Sequence, residues 1–239
     1  MKRAAVYLCG LAVLATSQAV FADKPSLGVA EFTNTATGVY WWGGGVGWEL
    51  SSMLSNELSN THKFRVVERN KLEPVLQEQN LAASGRISHS TAAKIGNITG
   101  AQYLVMGTVS AFESNTSNTG GGFSFGGISI GGSKGEAYLA IDLRVVDTTT
   151  GEVAYSRTVE GRSSKHGISL GLFKFGFGGH LKKEDKTPAG KAIRAAVAEA
   201  SDYLVCGMVT KTQRCIDEFN AKEEKRRESL KDTLNLDGP

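Results

Sequence analysis

The chain has 239 residues, of which 41% are hydrophobic and 21% are charged, and its formal net charge at pH 7 is +3. So small a net charge, without a basic stripe, argues against nucleic acid as a partner. The length suits one domain with insertions. Beyond the amino terminus, no apolar run reaches the roughly 18 residues of a membrane-spanning helix.

The amino terminus has the pattern of a secretory signal. Lys2 and Arg3 precede the apolar run from Ala4 to Val13, and Val20-Phe21-Ala22 resembles a signal peptidase site. Cleavage after Ala22 is expected, so residues 1–22 are assigned to a signal peptide. Asp23, and not a cysteine, comes directly after Ala22, and the sequence therefore predicts no lipid anchor.

The next part, residues 23–115, alternates predicted strands and helices. The strands are predicted at Ser26 to Thr33, Phe64 to Glu68 and Gln102 to Phe112. An apolar stripe predicts an amphipathic helix from Val46 to Asn60; it consists of Val46, Leu50, Met53, Leu54 and Leu58.

Three further predictions concern the stretch after this helix. A helix is expected to begin near Lys71 with Asn70 as its N-cap, turning Leu72, Val75 and Leu76 inward. Ser90 is expected to cap a short helix that ends near Ile95. The apolar run from Tyr103 to Met106 predicts a strand that is buried on both faces.

A glycine-rich loop separates the first predicted strand from the first helix. Gly43-Gly44-Gly45 occupies the place of a phosphate-binding loop, but the P-loop lysine and the G-x-G-x-x-G spacing are missing. The four histidines share no metal-ligand spacing. The sequence therefore predicts no catalytic residues, no cofactor, no metal site and no enzyme.

Two glycine-rich stretches, Thr119 to Gly135 and Gly167 to His180, alternate apolar and small side chains and lie in hairpins predicted over residues 116–136 and 163–186. In the first, two alternating runs flank Gly126-Gly127, which is typical of a β-hairpin. That register places Phe125 opposite Ile128 and Ser124 opposite Ser129. One face would suit lipid and the other a water-filled lumen. The alternative is that both stretches are flexible linkers.

The predicted lipid-facing residues are Phe123, Phe125, Ile128, Ile130, Phe173, Phe175 and Phe177, and the predicted lumen-facing residues are Ser124, Ser129 and Ser169. Four strands cannot close a barrel by themselves, and unpaired strand edges are costly in lipid. If the hairpins span a membrane, several copies must share one sheet.

The remaining segments return to a compact domain. Residues 137–162 predict a strand pair around the turn from Asp147 to Gly151. Residues 187–239 predict carboxy-terminal helices, the first capped by Thr187 with Pro188 at its first position.

Cys206 and Cys215 could pair in an oxidising compartment. On one unbroken helix they would lie roughly 13 Å apart, which is too far for a disulfide. Pairing therefore requires a break near Gly207 or Val209-Thr210, and the paired and free states both stay open.

Several segments of the chain, taken in order, resemble the curli-secretion channel CsgG and its relatives. They are Phe64 to Arg69, Leu76 to Gln79, Ser84-Gly85, Gly100-Ala101, Leu104 to Gly107, Phe112 to Asn115, Ile141 to Asp147 and Thr150 to Val153. The resemblance covers roughly Leu27 to Val209.

The resemblance implies an α+β fold: a periplasmic mixed α/β domain with two inserted β-hairpins that give four strands to an oligomeric transmembrane β-barrel. It implies a nine-fold homo-oligomeric ring in the outer membrane that exports unfolded polypeptide without ATP, with room for an accessory periplasmic factor. Tyr40, Trp41 and Trp42 correspond to the pore constriction of that family by their aromatic character. The alternative is a soluble periplasmic binding or regulatory module for envelope or peptidoglycan assembly.

Overall fold

One mixed β-sheet with helices on one face forms the core of the chain. The computed structural model describes residues 24–115, 124–125, 128–129, 136–163, 179–184 and 186–234. The strands are β1 (Ser26–Val29), β2 (Thr33–Asn34), β3 (Arg65–Val66), β4 (Tyr103–Asn115), β5 (Ser124–Phe125), β6 (Ile128–Ser129), β7 (Glu136–Asp147) and β8 (Val153–Arg162). The helices are α1 (Val46–Asn60), α2 (Leu72–Ala83), α3 (Pro188–Leu204) and α4 (Gln213–Leu234).

The strand order in the main sheet is β3-β1-β4-β7-β8, and β2 also pairs with β4. β1 runs parallel to β3 and β4, whereas β4, β7 and β8 form an antiparallel meander. The long β4–β7 ladder has an irregularity between Val109 and Ala111. A predominantly local meander is thus joined to a parallel unit that contains the amino-terminal strand.

The helix α1 has the bounds that its apolar stripe predicts. Val46, Leu50, Leu54 and Leu58 are fully buried, and Met53 packs against the core at its margin. Burial of each leucine contributes about 2 kcal/mol of hydrophobic free energy. α1 packs beside α3 on the same face of the sheet.

The helix α3 begins as its sequence predicts and lies very close to the sheet. The Thr187 hydroxyl accepts a hydrogen bond from the Gly190 N–H at 3.1 Å, and Pro188 occupies the first turn. Ile193, Ala196, Val197 and Leu204 are buried. Gly161 of β8 lies under α3, where a Cβ would come within 1.9 Å of the Ala192 carbonyl oxygen.

The prediction of an inward apolar face on α2 is wrong. In the part of the chain that the structure describes, no side chain of α2 is buried, and Val75 and Leu76 are each 41% exposed. The N-cap position is Lys71 rather than Asn70. The helix predicted from Ser90 to Ile95 is also absent, because that segment forms turns. These residues do not pack against the sheet, so the apolar pattern has no core to face within one subunit.

Two predictions about strands also need correction. The strand predicted from Ser26 to Thr33 is broken into β1 and β2. The run from Tyr103 to Met106 is buried on one face only, since Val105 is fully buried while Met106 is 36% exposed. The reason is that α1 and α3 cover a single face of the sheet.

Candidate functional site

The three long strands bring to one end of the sheet both ends of the first glycine-rich stretch and the start of the second. Asn115, the last residue of β4, pairs with Glu136, the first residue of β7. At the same end, the Ala137 N–H donates to Ser163 Oγ at 2.6 Å, and the Ser163 N–H donates to the Ala137 carbonyl at 2.9 Å. Residues 115, 136 and 163 therefore lie close together at one end of the sheet.

The short β5–β6 ladder has the register that the alternating sequence predicts. Ser124 pairs with Ser129 and Phe125 pairs with Ile128 in an antiparallel arrangement. The other predicted lipid-facing and lumen-facing residues lie outside the described residues; they are Phe123, Ile130, Ser169, Phe173, Phe175 and Phe177. Which face meets lipid stays a prediction.

The aromatic loop that follows β2 lies against β4 close to the same end. The backbone N–H groups of Thr35 and Ala36 both donate to the Val109 carbonyl, at 2.9 and 3.2 Å. The loop ends at Gly45, the residue directly before α1. Its φ of 89° lies in the left-handed region, which glycine adopts without strain. The loop is therefore held at both ends by backbone geometry.

The three aromatic residues of this loop differ sharply in exposure. Trp41 is 7% exposed and belongs to the core, where its ring meets Phe112 edge-on at 5.5 Å between centroids. Trp42 is half-buried beside Trp41. Tyr40 is 63% exposed and contacts Phe112 at 5.8 Å. Of the three predicted constriction residues, Tyr40 is the one that projects mainly into solvent.

Glu184 joins the aromatic loop to the segment that precedes α3. Its Oε2 accepts hydrogen bonds from Thr187 Oγ1 at 2.7 Å and from Tyr40 Oη at 3.4 Å. Burial first, and then the Glu184 carboxylate, raise the pKa of Tyr40 above its ordinary value. The phenol is therefore neutral at physiological pH and donates its proton to this contact.

A 3₁₀-helix, Gly179–Glu184, forms within the hairpin predicted over residues 163–186, so a hairpin in this segment ends before Gly179. Its Leu181 is fully buried, and the Leu181 N–H donates to Glu49 Oε2 of α1 at 2.9 Å. This contact holds residues 179–184 beside α1. Sequence reasoning missed Glu49, Phe112 and Glu184, because their partners are distant in the chain and no local motif marks them.

A polar cluster lies at the same end of β7 and β8. Tyr138 Oη donates to Glu160 Oε1 at 2.9 Å, and the Arg162 guanidinium lies 4.8 Å from the Tyr138 ring centroid. Burial, the hydrogen bond to Glu160 and the charge of that carboxylate raise the pKa of Tyr138. The cluster fastens together the two strands from which residues 136 and 163 emerge.

Cys206 and Cys215 form a disulfide with their Cα atoms 6.0 Å apart. The break that this pairing requires is a π-helical turn from Val205–Thr210, followed by Lys211 with a left-handed φ of 48°. The π-helix contains both Gly207 and Val209-Thr210, the two places where the sequence analysis expects an interruption.

Within the described ranges, no cluster of three or more His, Cys, Asp or Glu residues is placed to hold a metal ion. None of the helices described combines the length and the apolar character needed to cross a membrane.

The structure thus defines an α/β scaffold in which residues 115, 136 and 163 lie at one end of the sheet, close to the aromatic loop. The family described as "Curli production assembly/transport component CsgG" matches residues 12–234, and the chain belongs to this family.

Individual relatives are more distant. The CsgG protein of Salmonella typhimurium is 26% identical over 129 residues, which cover 52% of this chain and 47% of that protein. This chain thus matches about half the length of that curated relative. NMB1126/NMB1164 of Neisseria meningitidis serogroup B, whose name classes it as a lipoprotein, is 29% identical over 67% of this chain and 64% of its own length.

Among solved structures, the PelC dodecamer of Paraburkholderia phytofirmans has a TM-score of 0.34 at 13% identity, and covers 72% of this chain and 83% of that one.

Proposed function

We propose that this chain is a CsgG-like protein of the cell envelope that forms an export pore in the outer membrane. The membrane-spanning hairpins lie within residues 116–136 and 163–178, whereas residues 23–115, 137–162 and 179–239 form the periplasmic domain, because Leu181 of the 3₁₀-helix is buried in its core. Residues 1–22 act as the signal peptide. Unfolded polypeptide passes from the periplasm through the pore without ATP.

The observation that carries this proposal is the gathering of the chain at one end of the sheet. Asn115 and Glu136 are direct cross-strand partners, and Ser163 is hydrogen-bonded to Ala137 beside them. Two insertions that leave a scaffold from adjacent positions can enter one membrane side by side. Family membership and the predicted register of β5 and β6 support the same reading.

A ring follows from the hairpins. Each subunit offers four strands, and the two outer strands would leave backbone N–H and C=O groups unpaired in lipid. Each such group costs several kcal/mol, so the outer strands must pair with those of neighbouring subunits. We take nine subunits from the family resemblance. The small residues Ser124, Ser129 and Ser169 give a lumen wall suited to an unfolded chain.

We expect arginine on the lipid-facing positions to remove the protein from the membrane. Phe125→Arg and Phe175→Arg should each destabilise insertion by about 2–4 kcal/mol if these side chains lie near the middle of the bilayer. The matched controls Ser124→Arg and Ser169→Arg place the same charge on the lumen face and should stay membrane-bound. Fractionation of the outer membrane measures the outcome. If all four variants remain in the membrane, the assignment of faces is wrong.

We assign the narrowest point of the pore to Tyr40, with Trp41 and Trp42 forming its packed base. Tyr40 is the most exposed of the three and is held by Phe112 and Glu184. Trp41 supports it from the core, since its own ring is buried against Phe112. The constriction is therefore a single exposed aromatic side chain per subunit on an immobile base.

Tyr40→Ala should widen the constriction and raise the single-channel conductance of the reconstituted ring. Tyr40→Phe is the matched control, because it keeps the ring against Phe112 and removes only the hydroxyl group that contacts Glu184. We expect Tyr40→Phe to conduct like the parent. Equal conductance of all three proteins in intact rings would exclude Tyr40 from the constriction.

A second candidate function is a soluble periplasmic module that regulates envelope or peptidoglycan assembly. The Neisseria relative favours it, because that protein is named as a lipoprotein and not as a curli transport component. Native mass spectrometry of the detergent-extracted protein separates the two. Rings support the pore, whereas a monomer recovered from the soluble fraction supports the module.

A further inference from the structure

The carboxy-terminal helix α4 is joined to the rest of the domain through a short irregular hinge. The π-helical turn from Val205–Thr210 ends when the Lys211 N–H donates to the Cys206 carbonyl at 2.8 Å. Lys211 then adopts a left-handed backbone conformation, with φ 48° and ψ 25°, that is unfavourable for a residue other than glycine. Two residues later α4 begins. The direction of α4 is therefore set at one strained position.

The disulfide spans this hinge. Cys206 lies before Lys211 in the π-helix, and Cys215 lies after it in the first turn of α4. The bond, which joins cysteines nine positions apart in the sequence, therefore adds a second connection between α4 and the domain. With two connections the helix cannot rotate freely about Lys211.

The contacts of α4 with α3 centre on Phe219 and Lys222. Phe219 of α4 is buried, and its ring meets Tyr203 of α3 at 5.4 Å between centroids. Lys222 Nζ lies 3.0 Å from Glu199 Oε1 of α3 in a partly exposed ion pair, and such pairs contribute little. The ion pairs of Glu223 with Arg226 and Arg227 lie within α4, and the charge of Arg226 also attracts Glu160 of β8.

The surface beneath α4 contains a buried hydrogen-bond donor that lacks a partner among the described groups. Arg157 of β8 lies against the rings of both Tyr203 and Phe219, with its guanidinium carbon 5.3 and 5.4 Å from the two centroids. These cation–π contacts are favourable. Arg157 Nη2, however, is buried and has no hydrogen-bond partner among the described groups. An unsatisfied buried donor is costly, and departure of Phe219 would return it to water.

We propose that the Cys206–Cys215 disulfide is a redox latch that keeps α4 docked along β8 and α3. When the bond is present, Phe219 covers Arg157. When it is reduced, α4 pivots about Lys211, and the side of β8 that contains Arg157 becomes accessible. This proposal does not depend on whether the chain forms a pore.

The chemistry of the latch is thiol–disulfide exchange. To close it, a disulfide oxidant accepts two electrons and two protons from the Cys206 and Cys215 thiols and leaves as a dithiol. To open it, a dithiol reductant attacks the bond, returns both cysteines to thiols and leaves as a disulfide. Because thiols stay reduced in the cytosol and oxidise in the envelope, α4 docks only after export.

Limited proteolysis of the full-length protein tests the latch. Trypsin can cut α4 at its run of basic residues, which comprises Lys222, Lys225, Arg226 and Arg227. Cleavage tracks the population of the open state when opening is fast. We expect the initial rate at these sites to rise at least about tenfold when a dithiol is added. Hydrogen exchange in α1 and α3 should not change.

Two variants make the result decisive. The double variant Cys206→Ser, Cys215→Ser should be cut rapidly with or without the dithiol. Phe219→Ala, which keeps the disulfide, should be cut more slowly than the double variant. Equal cleavage of the oxidised and reduced parent would overturn the proposal. Loss of protection in α1 and α3 on reduction would also overturn it, since the bond would then hold the whole domain together.

Discussion

Gly161→Ala should lower the free energy of unfolding by about 3 kcal/mol, because the new methyl group has no room. A Cβ at this position would lie 1.9 Å from the Ala192 carbonyl oxygen and 2.6 Å from the Ala196 nitrogen. Both are backbone atoms of α3, so no side-chain rotation can relieve the overlap. The helix would have to move away from β8, opening the core around Ile193 and Val197.

The control for this prediction is Gly100→Ala. No atom lies within 4 Å of the position a Cβ would take there, and Gly100 does not have a positive φ. We expect that variant to change stability by less than about 0.5 kcal/mol. Urea unfolding of both variants gives the comparison. A Gly161→Ala protein as stable as the Gly100→Ala protein would show that α3 does not lie as close to β8 as described.

Replacing residues 116–135 with Asn-Gly should abolish membrane association while the domain stays folded. Asn115 and Glu136 are direct partners in the β4–β7 ladder, so a two-residue turn can join them without disturbing the strands. The core of the domain lies on the helix-covered face and does not require the excised segment. The loss should be complete, because two strands per subunit would be missing from a shared barrel.

Two measurements separate the possible results. Circular dichroism and the melting temperature report the domain, and membrane fractionation with native mass spectrometry reports the ring. A folded, soluble monomer is the expected product. A variant that remains in the membrane as an oligomer would refute the role of the first hairpin, whereas an unfolded variant would contradict the independence of the domain.

The sequence predicted best those elements whose stability is local. The bounds of α1 follow from one apolar stripe, and the start of α3 follows from Thr187 and Pro188. The register of Phe125 with Ile128 follows from alternation about a pair of glycines. In each case the decisive interactions join residues that are close in the chain.

The failures concern properties set at long range. The apolar residues of α2 suggested a buried helix, but whether a core lies opposite them depends on the path of the whole chain. The run from Tyr103 to Met106 suggested burial on both faces, yet helices cover only one. The contact between Tyr40 and Glu184 joins residues that are 144 positions apart, so no local sequence pattern predicts it.

The candidate site was predicted in part for the same reason. The aromatic composition of the loop is visible in the sequence. Which of its residues is buried, Trp41 and not Tyr40, depends on the packing of Trp41 against Phe112. The disulfide depends on a π-helical turn whose position the sequence indicates only as a region.

The position of β1 in the sheet has a consequence for the rate at which the chain folds. β1 is almost the first segment of the domain, yet it pairs with β4, and Ser26 meets Gln102 across a separation of 76 residues. Closing so long a loop costs conformational entropy before the strands gain any hydrogen bonds, and this slows folding. The strand β1 is thus made early as the chain grows, whereas its pairing with β4 and the completed sheet come late.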